Sequence, residues 1–187
     1  MPSRIDDLGL TLGHLGPARS LWWSWQYGRV DLIGVVDTMF ARVDLGGFAL
    51  EELKSCPGYG ERFDVEYRTV PGFKDLAVEC KRLVEEHDCK ILVALAMPGR
   101  AEIDQVCAHE ASQGLMLAQL LTSRHILEVF VHESEEEEPA ALVPICEDRA
   151  RKHARNAYWM LYEPEQLSRR AGQGIRQGYE DAGPIPV

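Results

Sequence analysis

Four short segments of the chain hold most of the side chains that could bind or transform a small molecule. They are residues 37–42, 69–75, 97–102 and 132–133, and each follows a run of residues that predicts a β-strand. Their useful side chains are Thr38, Phe40, Arg42, Lys74, Asp75, Glu102, His132 and Glu133. Ligands of parallel α/β sheets bind beyond the carboxyl ends of the strands, so we expect these segments to converge in space.

The chemistry of these residue types fits a flat heterocycle with a hydroxylated chain. The Phe40 ring can stack on a heterocycle while turn amides bond its edges. The Asp75 carboxylate can accept hydrogen bonds from a polyol, or it can be only a first-turn acid of a helix. His132 and Glu133 can move protons, although His132 can equally be a solvated residue at a strand end.

Strands and helices are predicted to alternate along the chain and to hold these four segments at the ends of the strands. Apolar runs at 30–36, 90–97 and 125–131 predict buried strands, and the alternating run at 62–68 predicts an edge strand with one wet face. Helices are predicted at 43–54, 74–86, 101–122 and 140–162, with one more helix to about residue 171. This order predicts an α/β fold with a mostly parallel, four-stranded sheet.

The helix predicted at 101–122 carries more apolar surface than one face can bury. A helical stripe is predicted along one side, formed by Ile103, Cys107, Ala111, Leu115 and Ala118. The apolar stretch 115–121 must therefore be covered on most sides. Glu110 falls on the stripe, which predicts a buried partner or an interface group for it, while His109 fits a structural hydrogen-bonding role.

The bulk composition excludes several classes of protein. A net charge of −10 over 187 residues argues against a general nucleic-acid binder. No apolar run is long enough to cross a membrane, and five scattered cysteines favour free thiols in a reducing cytoplasm. Glu133 and residues 135–138 predict a solvated acidic loop. Residues 1–28 predict a flexible leader without assigned function, and residues 29–187 a single folded domain.

Common cofactor and metal motifs are absent from the sequence. There is no G-x-G-x-x-G after a strand and no G-x-S-x-G elbow. His109 and Glu110 do not begin an H-E-x-x-H motif because position 113 is Gln. No metal site is predicted.

Five blocks of sequence carry a resemblance to a known family. They are GVVDTMFARVDL (34–45), TVPGFKDLAVECK (69–81), ALAMPGRAEIDQVCAHEASQGLMLAQLLT (94–122), EVFVHE (128–133) and RQGYEDAG (176–183). In this order they resemble the archaeal-type riboflavin synthase, a relative of lumazine synthase. The resemblance covers most of the chain from about Val30 onward and leaves out the leader.

The resemblance implies a three-layer αβα sandwich of flavodoxin-like topology, assembled as a homopentamer with active sites between subunits. The implied reaction is dismutation of two molecules of 6,7-dimethyl-8-ribityllumazine. One molecule gives a four-carbon unit to the other, which yields riboflavin and 5-amino-6-(D-ribitylamino)uracil. The substrate is its own donor and acceptor, so no cofactor is required; Mg²⁺ is a family association that no residue here places. Neither nucleic acid nor a membrane is an expected partner.

The lumazine synthase relatives allow residues to be matched by position. Their V-P-G-x-x-E pattern corresponds to Val70, Pro71, Gly72 and Asp75, which implies that Asp75 holds ribityl hydroxyls. Phe40 matches their stacking aromatic residue, and Ala96 and Met97 match the backbone that meets the pyrimidine edge. The implied substrate-binding residues are Thr38, Phe40, Ala41, Pro71, Gly72, Phe73, Asp75, Ala96, Met97, Pro98 and Gly99. The acid–base candidates are Lys74, Glu102, His132 and Glu133.

One segment departs from lumazine synthase. Those relatives carry G-A-T-P-H, with phosphate-binding Gly and Thr and a catalytic His, whereas this chain has GRAEID with Ile103 at the His position. An enzyme that binds a phosphorylated four-carbon sugar needs those groups, so the change favours riboflavin synthase. Lumazine synthase and a non-catalytic flavin- or lumazine-binding protein stay as alternatives.

Overall fold

A computed structural model of the protein describes residues 30–186. The strands are β1 (Asp31–Thr38), β2 (Phe63–Val70), β3 (Cys89–Ala96) and β4 (Ile126–Phe130). The helices are α1 (Leu45–Ser55), α2 (Leu76–His87), α3 (Glu102–Thr122), α4 (Leu142–Tyr162) and α5 (Pro164–Arg170). Short 3₁₀ turns lie at Phe73–Asp75, Glu133–Glu135 and Pro139–Ala141. The predicted leader at 1–28 lies outside the described residues.

The strands form one parallel sheet in the order β2-β1-β3-β4. Helices α1 and α4 cover one face, where Leu45, Leu53 and Tyr158 belong to the same buried cluster. Helices α2 and α3 cover the other face through residues such as Leu83 and Leu115. The predicted α/β class and three-layer αβα sandwich are therefore confirmed.

Strand position in the sheet explains which strands are buried on both faces. β3 is an inner strand, and all its residues except Lys90 are buried. β2 is an edge strand with alternating exposure, as predicted. β4 was predicted to be fully buried, but it forms the other edge and leaves Leu127 and Glu128 partly accessible.

Helix α1 begins two residues later than predicted because an N-cap residue precedes it. α1 begins at Leu45 rather than at residue 43, because the Asp44 carboxylate accepts a hydrogen bond from the Gly47 amide at 2.8 Å. Within residues 30–186, no helix has the length and apolar character needed to cross a membrane.

The outward surface of α3 corrects one prediction. Ile103 does not join the buried stripe; its side chain is 65% exposed, and Ala108 is buried instead. Leu117, Leu120 and Leu121 are also exposed. Helix α3 thus has one face against the sheet and a second apolar face that residues 30–186 do not cover.

Candidate functional site

The four segments identified from the sequence meet at the carboxyl edge of the sheet. The Met39 amide donates to the Val70 carbonyl at 2.8 Å, and the Glu133 amide donates to the Pro98 carbonyl at 2.9 Å. Arg42 Nη1 lies 3.0 Å from Glu133 Oε1. The predicted convergence is confirmed.

A shallow cleft of about 220 Å³ opens at this edge. Its lining joins the first two segments to helix α3 and consists of Phe40, Pro71, Gly72, Phe73, Lys74, Asp104 and Cys107. The Phe40 ring is 56% exposed, so one ring face is available for stacking. Cavities that enclose a drug-sized ligand usually measure about 300–1,000 Å³, so the cleft that residues 30–186 form is smaller than such a cavity.

Two lining residues, Asp104 and Cys107, were missed in the sequence. Asp104 lies in the first turn of α3 and Cys107 in the second, and nothing in the local pattern shows that this part of the helix faces the loop before α2. In the structure, the Asp104 carboxylate lies directly against Gly99, where an added Cβ would collide with it. A glycine is therefore needed at position 99 for this helix to approach the third segment.

The end of β3 presents backbone rather than side chains. Ala96, Met97, Pro98 and Gly99 are all buried. The Ala96 carbonyl accepts from the Val131 amide at 3.1 Å, and the Gly99 carbonyl accepts from Gln105 Nε2 at 2.6 Å. Each carbonyl oxygen keeps a second lone pair, so it can still accept a hydrogen bond from the edge of a heterocycle, as predicted.

A polar network that is only partly buried lies beside the first segment. The Tyr67 hydroxyl donates to Asp37 Oδ2 at 2.6 Å, and Thr69 Oγ1 donates to the Tyr67 hydroxyl at 3.0 Å. Burial, followed by the bond to Asp37, raises the pKa of Tyr67. Thr38 Oγ1 is buried and has no hydrogen-bond partner among residues 30–186. The amide of the half-buried residue Ala41 donates to the Thr38 carbonyl. The network fixes the backbone from which Phe40 projects.

Asp75 is exposed at the start of α2 and already has a local role. Its Oδ2 accepts from the Gly72 amide at 3.2 Å, as the first-turn alternative predicts. A carboxylate has two oxygens and can accept further bonds, so this contact is compatible with hydroxyl binding.

Lys74 lies across the cleft from α3 and is paired there. Its Nζ is 2.5 Å from Glu110 Oε2, and both side chains are about half exposed at 54% and 53%. Glu110 is therefore paired, but with an exposed partner rather than a buried one, and its predicted alternative role as an interface group stays a prediction. The hydrogen bond with Glu110 raises the pKa of Lys74, which makes Lys74 a cationic group rather than a base.

None of the other three acid–base candidates, Glu102, His132 and Glu133, is a lining residue of the cleft. His132 is half-buried, and its Nδ1 is buried without a partner among the described side chains and backbone. Glu133 is 15% exposed and pairs with Arg42. Glu102 is exposed on the first turn of α3 and does not line the cleft. The predicted structural hydrogen-bonding role of His109 is consistent with the 3.0 Å contact between its Nε2 and Gln113 Nε2.

Glu135 corrects the prediction of a fully solvated acidic loop. Its side chain is 18% exposed and accepts two hydrogen bonds from Arg149, at 2.9 and 2.6 Å. Burial alone would raise the pKa of Glu135, but bonds from Arg149, Tyr179 and the His132 amide lower it to about 2. Arg100 of the GRAEID segment holds the same loop through the carbonyls of Glu136 and Glu137.

The depressed pKa of Glu135 predicts an acid-sensitive fold. An acid whose pKa is lower in the folded state stabilises the fold above its unfolded pKa, near 4.5, and loses this effect as the pH falls toward 2. We expect the wild type to lose on the order of 2 kcal/mol of unfolding free energy over that window through this group. Denaturant unfolding at stepped pH values measures it.

The Glu135→Gln variant supplies the comparison for this pH dependence. Its stability should be lower than that of the wild type at neutral pH, and the two should approach each other below about pH 3. The matched control is Glu85→Gln, which removes an exposed partner of Lys81 on α2. Parallel pH curves for the wild type and Glu135→Gln would contradict the prediction.

Comparison with known proteins agrees with this geometry. The sequence profile of the family described as 6,7-dimethyl-8-ribityllumazine synthase matches residues 32–165. A protein of Methanothermobacter thermautotrophicus named riboflavin synthase is 53% identical over 153 residues, which is 82% of this chain and 98% of that protein. Proteins of the same name from Aeropyrum pernix and Archaeoglobus fulgidus are 45% and 40% identical, each over 82% of this chain and 97% of their own length. The chain therefore belongs to the 6,7-dimethyl-8-ribityllumazine synthase family, in which it is similar to the members named riboflavin synthase.

Proposed function

We propose that this protein is a riboflavin synthase, a transferase that converts two molecules of 6,7-dimethyl-8-ribityllumazine into riboflavin and 5-amino-6-(D-ribitylamino)uracil. The observation that carries the proposal is the 53% identity to a protein named riboflavin synthase, over 98% of that protein. The match spans 153 residues, which is 82% of this chain.

The proposed reaction depends mainly on how the two substrate molecules are positioned. Two flat rings must be held together while a proton leaves the acidic methyl group of one of them, and a four-carbon unit then passes to the other. Fixing two reactants can supply roughly 7–11 kcal/mol of the barrier reduction. Acid–base groups add about 10²–10⁴-fold. Phe40 supplies a stacking face, Asp75 an acceptor for ribityl hydroxyls, and Lys74, His132 and Glu133 the nearby titratable groups.

Lumazine synthase is the second candidate, because the family profile carries that description. Its reaction uses a phosphorylated four-carbon sugar, which needs an anion site and a histidine at the start of α3. In this protein Ile103 occupies the histidine position and is 65% exposed, and Arg100 is bonded to the acidic loop. These contacts favour riboflavin synthase.

The complete site requires a second copy of the chain. The cleft of about 220 Å³ is too small for two lumazines. The apolar face of α3 that residues 30–186 leave exposed includes Ile103 and Val106, the sequence neighbours of the lining residues Asp104 and Cys107. A homo-oligomer, which we propose is a pentamer, would cover that face and close the site around both substrates.

The proposal requires no cofactor, because one lumazine is the donor and the other the acceptor. Residues 30–186 contain no group of three or more His, Cys, Asp or Glu side chains placed to hold a metal, so we assign no Mg²⁺ site and no step to a metal. All five cysteines are free thiols, which fits the proposed cytoplasmic location.

Turnover of 6,7-dimethyl-8-ribityllumazine alone tests the function. Purified protein should form one riboflavin per two lumazines, measured by absorbance and chromatography. Binding without turnover would identify a non-catalytic binding protein and contradict the proposal. Lumazine formation from the pyrimidine and a phosphorylated four-carbon sugar, without riboflavin formation, would instead identify a lumazine synthase.

Truncation of the stacking ring provides a prediction for the cleft. The Phe40→Ala variant should raise the KM for the lumazine about tenfold, since ring stacking contributes roughly 0.5–1.5 kcal/mol beyond area burial. Thermal stability should change little because the ring is 56% exposed. Steady-state kinetics measures the effect, and Met39→Ala, with a side chain 75% exposed, is the matched control. Equal KM values for both variants would contradict the stacking role.

A further inference from the structure

The loop that bears His132 and Glu133 is held by one carboxylate. Glu135 Oε1 accepts from the His132 amide at 2.8 Å and from Arg149 Nη1 at 2.9 Å. Its Oε2 accepts from Arg149 Nη2 at 2.6 Å and from the Tyr179 hydroxyl at 2.7 Å. The carboxylate therefore joins the loop to helix α4 and to a residue close to the C-terminus.

Arg149 connects the same loop to the end of the sheet. Its Nη1 also donates to the carbonyl of Phe130, the last residue of β4, at 2.9 Å. The side chains of Arg149 and Glu135 are only 13% and 18% exposed. A bidentate pair with this little solvent access has a defined geometry. His132 thus lies between Phe130, whose carbonyl the Arg149 guanidinium bonds, and Glu135, whose carboxylate the same guanidinium bonds.

Tyr179 reaches Glu135 because the chain folds back over α4. We call residues 174–182 the C-terminal strap. Its anchors on α4 are the bond from Lys152 Nζ to the Arg176 carbonyl at 2.9 Å and the bond from the Gly178 amide to Asp148 Oδ2 at 2.6 Å. Gly178 has φ +87, and a Cβ there would lie 2.8 Å from Arg149 Nη2. A glycine is required where the strap passes the guanidinium.

We propose that Tyr179, Arg149 and Glu135 are positioning residues for the reaction, which act by fixing the backbone at His132 and Glu133. This inference rests on the proposed riboflavin synthase function. The His132 amide is bonded to Glu135 and the Glu133 amide to Pro98, so both candidate acid–base residues have a fixed backbone. A displacement of about 1 Å at a reacting group can cost on the order of 10²-fold in rate.

The Tyr179→Phe variant tests the inference without removing a buried charge. It deletes one hydrogen bond to Glu135 from a side chain that is 44% exposed. We expect kcat to fall about threefold to tenfold, the range that corresponds to the loss of one ordinary, solvent-accessible hydrogen bond. KM should stay within about twofold and the melting temperature nearly unchanged, since neither the cleft nor the core is altered.

Two further variants separate positioning from a general structural role. Tyr158→Phe removes a comparable tyrosine–glutamate bond, to Glu163 at 3.0 Å at the far end of α4, and should keep wild-type kcat. Glu135→Ala should lower kcat more than Tyr179→Phe does. Adding Tyr179→Phe to Glu135→Ala should produce no further loss, because Tyr179 acts through Glu135.

Three results would overturn the inference. They are an unchanged kcat in Tyr179→Phe, an equal loss in Tyr158→Phe, and a full additional loss when Tyr179→Phe is combined with Glu135→Ala. Each of these leaves the proposed function intact, because the wild type still turns over. A wild-type protein that forms no riboflavin would overturn the function, and this inference with it.

Discussion

Replacing Asp75 by alanine should raise the KM for 6,7-dimethyl-8-ribityllumazine roughly 30- to 150-fold. An ionised carboxylate that accepts hydrogen bonds from ribityl hydroxyls contributes about 2–3 kcal/mol to binding. Asp75 is not itself a lining residue of the cleft, but it directly follows the lining residues 71–74. Asp75 is exposed, so its removal should leave the fold and assembly intact. Steady-state kinetics and sedimentation measure the two effects.

The bond from the Gly72 amide to Asp75 makes a second variant necessary. Alanine removes both the proposed ribityl contact and this turn contact, whereas Asp75→Asn can still accept from the Gly72 amide. Asn lacks the charge, so its KM should lie between those of the wild type and Asp75→Ala. If Asp75→Asn behaves as the wild type while Asp75→Ala loses stability, the residue acts only in the turn and the ribityl role is wrong.

The fold was predictable because strand and helix periods were clear. The apolar run of β3 indicated an inner strand, and the alternation in β2 indicated an edge, and both are confirmed. The edge position of β4 was not predicted, because a short apolar run does not show whether a strand has neighbours on both sides in the sheet. Ile103 was misplaced since α3 has apolar residues on two faces, and periodicity alone does not say which face meets the sheet.

The site was predictable where it follows strand ends and hidden where it depends on tertiary contacts. Phe40, Gly72 and Lys74 follow strands, and the cleft contains them. Glu135 looked like one member of a solvated acidic run, because its partners Arg149 and Tyr179 are 14 and 44 residues away. Charge composition alone does not show which carboxylate of an acidic run forms an ion pair.

Placing a charge on the uncovered face of α3 should abolish both assembly and activity. Leu117 is 57% exposed in the single chain and lies on the same side of the helix as Leu120, which is 80% exposed, and Leu121. In a homo-oligomer the Leu117→Glu variant would bury an unpaired carboxylate in every interface, at a cost of several kcal/mol each. We expect a monomeric, folded protein by sedimentation, with riboflavin synthesis reduced at least about 100-fold because the cleft stays incomplete.

The matched control for this interface is Val143→Glu on α4, across the sheet from α3. Val143 is 43% exposed, so the control also adds a carboxylate at an apolar surface position. It should leave assembly and turnover at wild-type levels, since the proposed interface is continuous with the cleft on the α3 side. A fully active Leu117→Glu monomer would show that one chain suffices for catalysis. That outcome would mean that the cleft of about 220 Å³ widens within the subunit to admit both substrates.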